Sequence, residues 1–569
     1  MERGKGTSHS KRLQVSDRWR ELAQTKTWVQ IFEGTAARYS DREALVSWET
    51  QQRFIYSEYQ ENVTAMAKAL YGLGVRKGTH VGIWMTNRPE WCFARLAIYK
   101  LGAVMVPLHT RYRLEEMRYV LNQSDTEILL MEEKFLGKIE ALTMLLELVP
   151  EIKDATVDRE IRSEDFPALK KVILVDGEKC SGTYSLDEII ETGEKVDDAQ
   201  LRLESSPQDT IHIIYTSGTT GFPKGVVTPN SCNVAYSTIS SELYNLTPDS
   251  RVLNLMPLFG NIGLWNHTLP LLVGGALVIG PSRFDPEETM KIAQQERVTH
   301  CIFVPTMLLD VLNHPNADKY DLSSFRRITA AGAVVPQTLI QSAKEKLGIY
   351  LMNIYGLAEA SGLSTWVPYG DTPEHIEKSV GLPMPHCELA ILDPKTGDTV
   401  APGVEGEICT KEVFSGSQHM KGYYRKPDLT AETIKDGWLH SGDLGRMDED
   451  GYVYITGRVK EMFTVGGFNV SPPEIEDYIL KHPKVASVAV AGVPDERLGE
   501  VGAAFVKLKE GEETTPEGII TFCKGKIADI KVPRYVFFMD QFPLNPQGKV
   551  QKFKLREKAV KELGLKEMK

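Results

Sequence analysis

Three textures along the chain predict an α/β protein that ends in β-rich and α+β modules. Amphipathic helical segments first alternate with short apolar strands, the pattern of parallel sheets covered by helices. After about Gly381, short strand-like runs are separated by Gly, Pro and Asp. From Val485, two long strand runs and a helix read as a small α+β domain. At 569 residues the chain is longer than one ordinary domain, so two or more are expected.

The elements follow in order. A helix is predicted around Tyr59 to Leu73, where Ala65, Ala67, Leu70 and Leu73 are the apolar positions. A strand follows at His80 to Met85, a helix around Trp91 to Leu101, and a strand at Ala103 to Leu108. The alternation returns with strands at Arg251 to Leu255, Ala276 to Ile279 and His300 to Val304. The apolar region Leu253 to Gly280 is broken by Asn254, Asn261, Asn266, His267 and two prolines, and reads as buried strand and loop rather than a membrane span. The runs E-L-A-I-L, G-E-I-C-T and Y-V-Y-I-T are strands of the β-rich module. V-A-S-V-A-V-A-G-V and V-G-A-A-F-V-K-L are strands of the last domain, before a helix near Pro516 to Ile527. S-P-P-E-I-E-D at Ser471 to Asp477 is a helix start, with Ser471 as N-cap and prolines in the first turn; Glu474 and Glu476 are assigned structural roles there. T-V-G-G-F-N-V at Thr464 to Val470 is a tight turn between apolar segments. No short-period repeat or long low-complexity tract interrupts this order.

Bulk composition excludes some classes. A formal charge of −11 argues against a general nucleic-acid binder. Seven scattered cysteines, with no C-x-x-C pair, argue for thiols in a reducing compartment rather than a disulfide framework or zinc site. The N-terminal stretch carries Glu2, Asp17 and Glu21 and no apolar core, so it is not a secretory signal. A cytoplasmic protein is expected, with a mitochondrial presequence as the weaker alternative.

The most informative stretch is Y-T-S-G-T-T-G-F-P-K-G-V, Tyr215 to Val226. Ile211, Ile213 and Ile214 before it read as a strand. A loop rich in Gly, Ser and Thr can wrap an anion with N–H groups and hydroxyls, and Lys224 adds a cation. Lys224 is preceded by Pro223 and followed by Gly225, so this is no Walker loop. Dinucleotide and kinase glycine signatures are also missing.

This stretch closely resembles the signature loop of the adenylate-forming (AMP-binding) superfamily, which includes acyl-CoA synthetases, amino-acid-activating domains and luciferases. The other motifs of that family occur in order over most of the chain. The resemblance implies that Thr216, Ser217, Gly218, Thr219, Thr220, Gly221 and Lys224 hold the β- and γ-phosphates of ATP. A-A-G-A at Ala330 to Ala333 resembles the segment between adenine and acyl sites, with Gly332 and Ala333 in contact. N-I-Y-G-L-A-E at Asn353 to Glu359 resembles the adenine motif, with Asn353, Tyr355 and Gly356 at the base and Glu359 on Mg²⁺, a cation that prefers oxygen ligands. W-L-H-S-G-D would place Asp443 on the ribose hydroxyls. G-R-V-K-E resembles the hinge motif, with Arg458 near ribose and phosphate and Lys460 as pivot. Gly466 and Gly467 would line the pantetheine tunnel of coenzyme A. P-L-N-P-Q-G-K-V resembles the C-terminal catalytic motif, with Lys549 reaching the substrate carboxylate and α-phosphate.

The same resemblance implies the architecture: residues 1–458 as an adenylation domain of two α/β sheet subdomains plus a barrel-like β module, and 459–569 as a small mobile lid. It implies a carboxylate activated with ATP to an acyl-adenylate, then transferred to a thiol. The chain contains no L-G-G-[D/H]-S carrier motif, so free coenzyme A is the expected acceptor. The runs Cys523 to Tyr535 and Gln547 to Glu557 resemble the medium-chain fatty acyl-CoA synthetase branch. The acyl pocket is expected around Phe259, Gly260, Gly263 and Trp265, with Ile262 and Met307 beside them, and Ala331, Gly332 and Leu357 at its nucleotide side. The alternative is that the large apolar residues are core. Two departures stand out: Gly260 where the family commonly has His, and Ala358 where it has Thr. A medium-chain or cyclic acid is expected, with the reaction reversible in principle, and a homodimer is compatible with it. The alternatives are an aryl-acid-CoA ligase, another adenylate-forming enzyme, or a non-catalytic nucleotide-binding protein.

Overall fold

The computed structural model describes residues 13–565 except 156–159, 179, 202–204, 217–222, 332–334, 460, 466–467, 496 and 545–548, and leaves out the side chains of residues 464, 468 and 469. By contacts it divides into two compact units. The first holds residues up to Leu389, Thr410–Leu439 and Asp450–Tyr452; the second holds Ala390–Cys409, His440–Glu449 and Val453 onward.

Two large sheets build the first unit. One has nine strands in the order Leu382–Pro383, Gly362–Trp366, Leu351–Leu357, Arg327–Ala330, His300–Phe303, Arg251–Asn254, Ala276–Ile279, Glu43–Ser47, Gln52–Ile55. Its centre is parallel and its two ends are antiparallel. The other has eight strands, parallel from Thr210–Thr216 through Val104–Pro107 and His80–Trp84 to Thr183–Ser185, and antiparallel at Lys224–Pro229 and Gly422–Tyr423. Strands such as Ile128–Met131 and Ala276–Ile279 are buried along their whole length. Parallel strands covered on both faces read as continuous apolar runs for that reason.

The predicted helices and strands at 59–73, 80–85, 91–101 and 103–108 are present as Tyr56–Gly72, His80–Trp84, Pro89–Lys100 and Val104–Pro107. The region 253–280 needs correction. It contains a buried helix, Asn261–Leu271, between its two strands. Asn266 and His267 had hidden the periodicity because both are buried and hydrogen-bonded. Asn266 Nδ2 donates to the Leu253 carbonyl at 3.0 Å, and His267 lies between Arg95 (3.0 Å) and the Tyr59 hydroxyl (2.8 Å). The helix near 516–527 is shorter, Pro516–Cys523.

A five-stranded sheet contains Cys387–Leu392, Gly406–Glu412, Trp438–Met447, Ile434–Lys435 and Val453–Arg458, with Trp438–Met447 antiparallel to the last two, and is the predicted β-rich module. In the second unit, Val485–Asp495 and Gly499–Leu508 form a long antiparallel pair, flanked by Phe463–Val465, Phe468–Val470 and Tyr535–Phe538. Ser471 stands at the N-cap of Pro472–Ile479, but its hydroxyl makes no cap. It donates instead to the Thr456 carbonyl at 2.7 Å, tying the helix start to the strand Val453–Arg458. All seven cysteines are free thiols, six of them buried. No helix among the described residues is long and apolar enough to cross a membrane.

Candidate active site

Strand register holds together Thr216 and Lys224, on either side of the predicted anion-binding loop. Thr210–Thr216 runs antiparallel to Lys224–Pro229, with Thr216 opposite Lys224. The loop proper, Ser217, Gly218, Thr219, Thr220 and Gly221, lies outside the described residues, as do Gly332, Ala333, Lys460, Gly466 and Gly467. Gly225 is needed for closeness: a Cβ there would sit 2.8 Å from Ile213 and 3.0 Å from Tyr215.

Next to Lys224, the short strand Gly422–Tyr423 pairs with Val226 and Val227. That register brings the buried Tyr423 ring beneath the lysine, with Nζ 5.1 Å from its centroid. The Tyr423 hydroxyl donates to Glu359 Oε1 at 2.8 Å, and the Met420 N–H donates to the Glu359 carbonyl at 2.9 Å. Burial and the charge of Glu359 push the phenol pKa up, so Tyr423 stays a donor. Two residues singled out in the sequence, Lys224 and Glu359, therefore share one tyrosine that sequence reasoning missed. Nothing in G-Y-Y marks Tyr423 out; only pairing with Val226 reveals it. Ala358, the position of the expected hydroxyl, is buried in an apolar group with Val226, Ala360, Met420, Tyr423 and Leu439.

A Mg²⁺ ion fits the donor chemistry here. One hydrogen bond to Oε1 leaves a carboxylate with further lone pairs, and hard cations take oxygen.

Tyr355 is half-buried on Leu351–Leu357, where the pairing with Gly362–Trp366 slips by one residue between Tyr355 and Gly356. A Cβ on Gly356 would lie 2.1 Å from the Gly362 carbonyl oxygen, so that slip requires glycine. Asn353 is buried, and its amide donates to the carbonyls of Ser379 (3.2 Å) and Ile376 (3.4 Å). It thus anchors the strand that presents Tyr355. Ala331 is buried, and its N–H donates to Phe303.

The candidate pocket residues separate into surface-accessible and core. Phe259 is half-buried, with its ring 4.3 Å from that of His109. Burial, reinforced by Arg111, lowers the His109 pKa to about 4, so its imidazole is neutral. His109 was not anticipated from sequence. Gly260 has room for a side chain, its nearest neighbour being the Pro257 carbonyl at 3.5 Å. Gly263 has none: a Cβ would be 2.1 Å from that same oxygen. Trp265 is core, its ring set against Tyr244 (5.8 Å) and Trp366 (6.1 Å). Ile262, Met307 and Leu357 are half-buried.

In the second unit, Asp443 is opposite Arg458 in the sheet. Arg458 Nε lies 3.0 Å from Asp443 Oδ1. Lys549 is exposed, directly before Val550, which bridges to Leu544. Just beyond, Lys552 Nζ lies 2.8 Å from both Glu461 and Glu476. Glu476 also accepts the Val490 N–H at 2.6 Å, and Glu474 pairs with Lys531, so both acids serve the fold.

The family model described as "AMP-binding enzyme" matches residues 32–424, and the one described as "AMP-binding enzyme C-terminal domain" matches residues 474–549. YngI of Bacillus subtilis (strain 168) is 38% identical over 547 residues, 94% of this chain and 97% of that protein. The medium-chain acyl-CoA ligase ACSF2, mitochondrial, of Bos taurus is 36% identical, covering 95% of this chain and 88% of its own. Among solved structures, ATP-bound MatB from Rhodopseudomonas palustris aligns with a TM-score of 0.79 and 26% identity, covering 95% of this chain and 100% of that one. The anthranilate CoA ligase AuaEII in complex with anthranoyl-AMP aligns with a TM-score of 0.79 and 25% identity, covering 96% and 100%.

Proposed function

Since the chain belongs to the family of AMP-binding enzymes and is an AMP-forming acid–CoA ligase, we propose that it activates a medium-chain or compact cyclic carboxylic acid. In the first half-reaction a carboxylate oxygen attacks the α-phosphorus of ATP. The bond to pyrophosphate breaks and an acyl-adenylate forms. In the second, the sulfur of coenzyme A attacks the acyl carbon and AMP leaves.

The supporting observation is the group Lys224, Tyr423 and Glu359, with Lys224 at one end of the candidate phosphate loop. Two anions must meet in the first step, so fixed positive charge and oriented donors lower its barrier. Lys224 supplies charge at the loop base, where Thr216 opposite it adds a hydroxyl. Tyr423 keeps the Glu359 carboxylate oriented. Mg²⁺ bound there would offset charge on the phosphate oxygens. Asp443 accepts the ribose hydroxyls while Arg458 holds it. Tyr355 stacks on adenine. Lys549 contacts the reacting carboxylate and α-phosphate.

The domain spanning 459–569 swings about Lys460 between the half-reactions, removing Lys549 and bringing Gly466 and Gly467 to the thiol path. A dihedral change at one residue is enough for a hinge of this kind. The acyl group lies against Phe259 and His109, beside Gly260. A cytoplasmic location is the reading that free thiols support.

An aryl acid is the second reading, favoured by the Phe259–His109 ring pair. Scoring CoA-dependent AMP release with acids from acetate to palmitate, benzoate and cyclohexanecarboxylate tests both. Highest turnover on medium-chain or alicyclic acids supports the first reading; highest turnover on benzoate supports the second. Acid-dependent pyrophosphate exchange with no use of CoA overturns both.

A further inference from the structure

We propose that Glu407 is a positioning residue for the nucleotide ribose, acting through the turn that carries Asp443. The inference rests on the assignment of Asp443 to the ribose hydroxyls made above. Glu407 is 8% exposed, on the strand Gly406–Glu412. Both of its oxygens face the adjoining strand Trp438–Met447. Oε1 accepts the Gly442 N–H at 2.8 Å, and Oε2 is 2.7 Å from His440 Nδ1. One carboxylate thus grips the turn on both sides of Ser441.

The turn has few other freedoms. Gly442 has φ +73°, a left-handed conformation that favours glycine. Its carbonyl accepts the Val459 N–H at 2.8 Å. Ser441 Oγ accepts the Asp443 N–H at 3.0 Å, and Arg458 Nε is 3.0 Å from Asp443 Oδ1. Gly442 is therefore pinned through its N–H by Glu407 and through its C=O by Val459. Asp443 is the next residue, so its carboxylate inherits that placement. Loss of the Glu407 carboxylate removes the acceptor that Gly442 and His440 share.

The Cys409 thiol lies beside Glu407 and His440. One potential ligand atom each from Glu407, Cys409 and His440 lie within 4.8 Å of one another. Hydrogen bonds already engage both Glu407 oxygens and His440 Nδ1, however. Burial and then the Glu407 charge push the Cys409 thiol pKa up, away from the thiolate a metal needs. The arrangement is a hydrogen-bonded clamp.

The test compares dissociation constants of AMP and 2′,3′-dideoxy-AMP, by calorimetry on the full chain, for wild type and for Asp443→Asn, Glu407→Ala and Glu407→Gln. Wild type should prefer AMP by about tenfold or more, the scale of a lost charged hydrogen bond. Glu407→Ala should bring that preference to within about threefold, as a displaced Asp443 no longer distinguishes the two ligands. Glu407→Gln, which keeps an acceptor for Gly442, should retain an intermediate preference, and it decides the matter if Glu407→Ala does not fold. A preference lost in Asp443→Asn but intact in both Glu407 variants overturns the role of Glu407 and leaves the ribose assignment standing. A preference intact in Asp443→Asn overturns the ribose assignment and the clamp with it. Equal weakening of both ligands in the Glu407 variants marks a merely structural residue and also overturns the proposal.

Discussion

The Tyr423 hydroxyl donates a 2.8 Å hydrogen bond to Glu359 Oε1. The ring that carries it also lies under Lys224. An acid and a base 135 positions apart are thereby referred to one rigid, buried group. A carboxylate that must bind a cation gains from being held in one rotamer before the ion arrives.

Tyr423→Phe keeps the ring and removes the donor. Losing a hydrogen bond to a charged group costs about 1.5–3 kcal/mol, so pyrophosphate exchange at limiting Mg²⁺ should fall at least about tenfold. The deficit should shrink as Mg²⁺ is raised. Exchange equal to wild type at every Mg²⁺ concentration would count against the role given to Tyr423.

Lys549→Ala should lower adenylate formation by roughly 100- to 1,000-fold, the scale of a lost transition-state donor. Thioester formation from supplied acyl-AMP should persist. Gly467→Trp should give the converse pattern, with exchange kept and thioester formation lost. Equal losses in both half-reactions for either variant would contradict the proposed swing of residues 459–569.

Gly263 and Gly260 lie three residues apart and should respond differently. Gly263→Ala would force a methyl to within 2.1 Å of the Pro257 carbonyl, so a backbone shift costing about 1–3 kcal/mol is expected. Gly260→Ala meets nothing closer than 3.5 Å and changes only an N-cap, a change of about 1 kcal/mol or less. Urea unfolding of the two variants measures both. A larger loss at Gly260 would show that the space beside Phe259 is misjudged.

Buried histidines should make the fold acid-labile. Burial lowers the pKa of His300 to about 4, and of His212 and His386 to about 3, from 6.5. Above pH 6.5 these rings are neutral in both states and contribute no pH dependence. As pH falls below 6.5, the unfolded chain takes up protons that the folded one refuses, so stability drops. Each ring contributes at most about 1.4 kcal/mol per pH unit until pH reaches its folded pKa. Thermal melts from pH 7 to 4 should show this slope, and His386→Leu should reduce it. An unchanged melting temperature across that range would refute the assignment.

Much of this molecule was legible from local pattern. Continuous apolar strands such as Ala276–Ile279 and Ile128–Met131 declare themselves because burial acts residue by residue. The helix Asn261–Leu271 did not, because its buried imidazole, His267, is compensated by groups far along the chain, Arg95 and Tyr59. Glu407 left only a faint trace, one of two glutamates in the strand Gly406–Glu412.

The sequence by itself determined the family and the order of textures along the chain, and it supplied the candidate site residues: a Gly-rich loop with Lys224, the carboxylates Glu359 and Asp443, and Lys549 near the end. These depend on short spacings and on residue chemistry, which a one-dimensional string records. Tertiary structure alone decided which groups share a hydrogen bond. Tyr423 reaches Glu359 through the register of Val226, and Glu407 reaches Gly442 across neighbouring strands. Strand pairing joins residues without regard to their separation along the chain, and that is why no motif announced either contact.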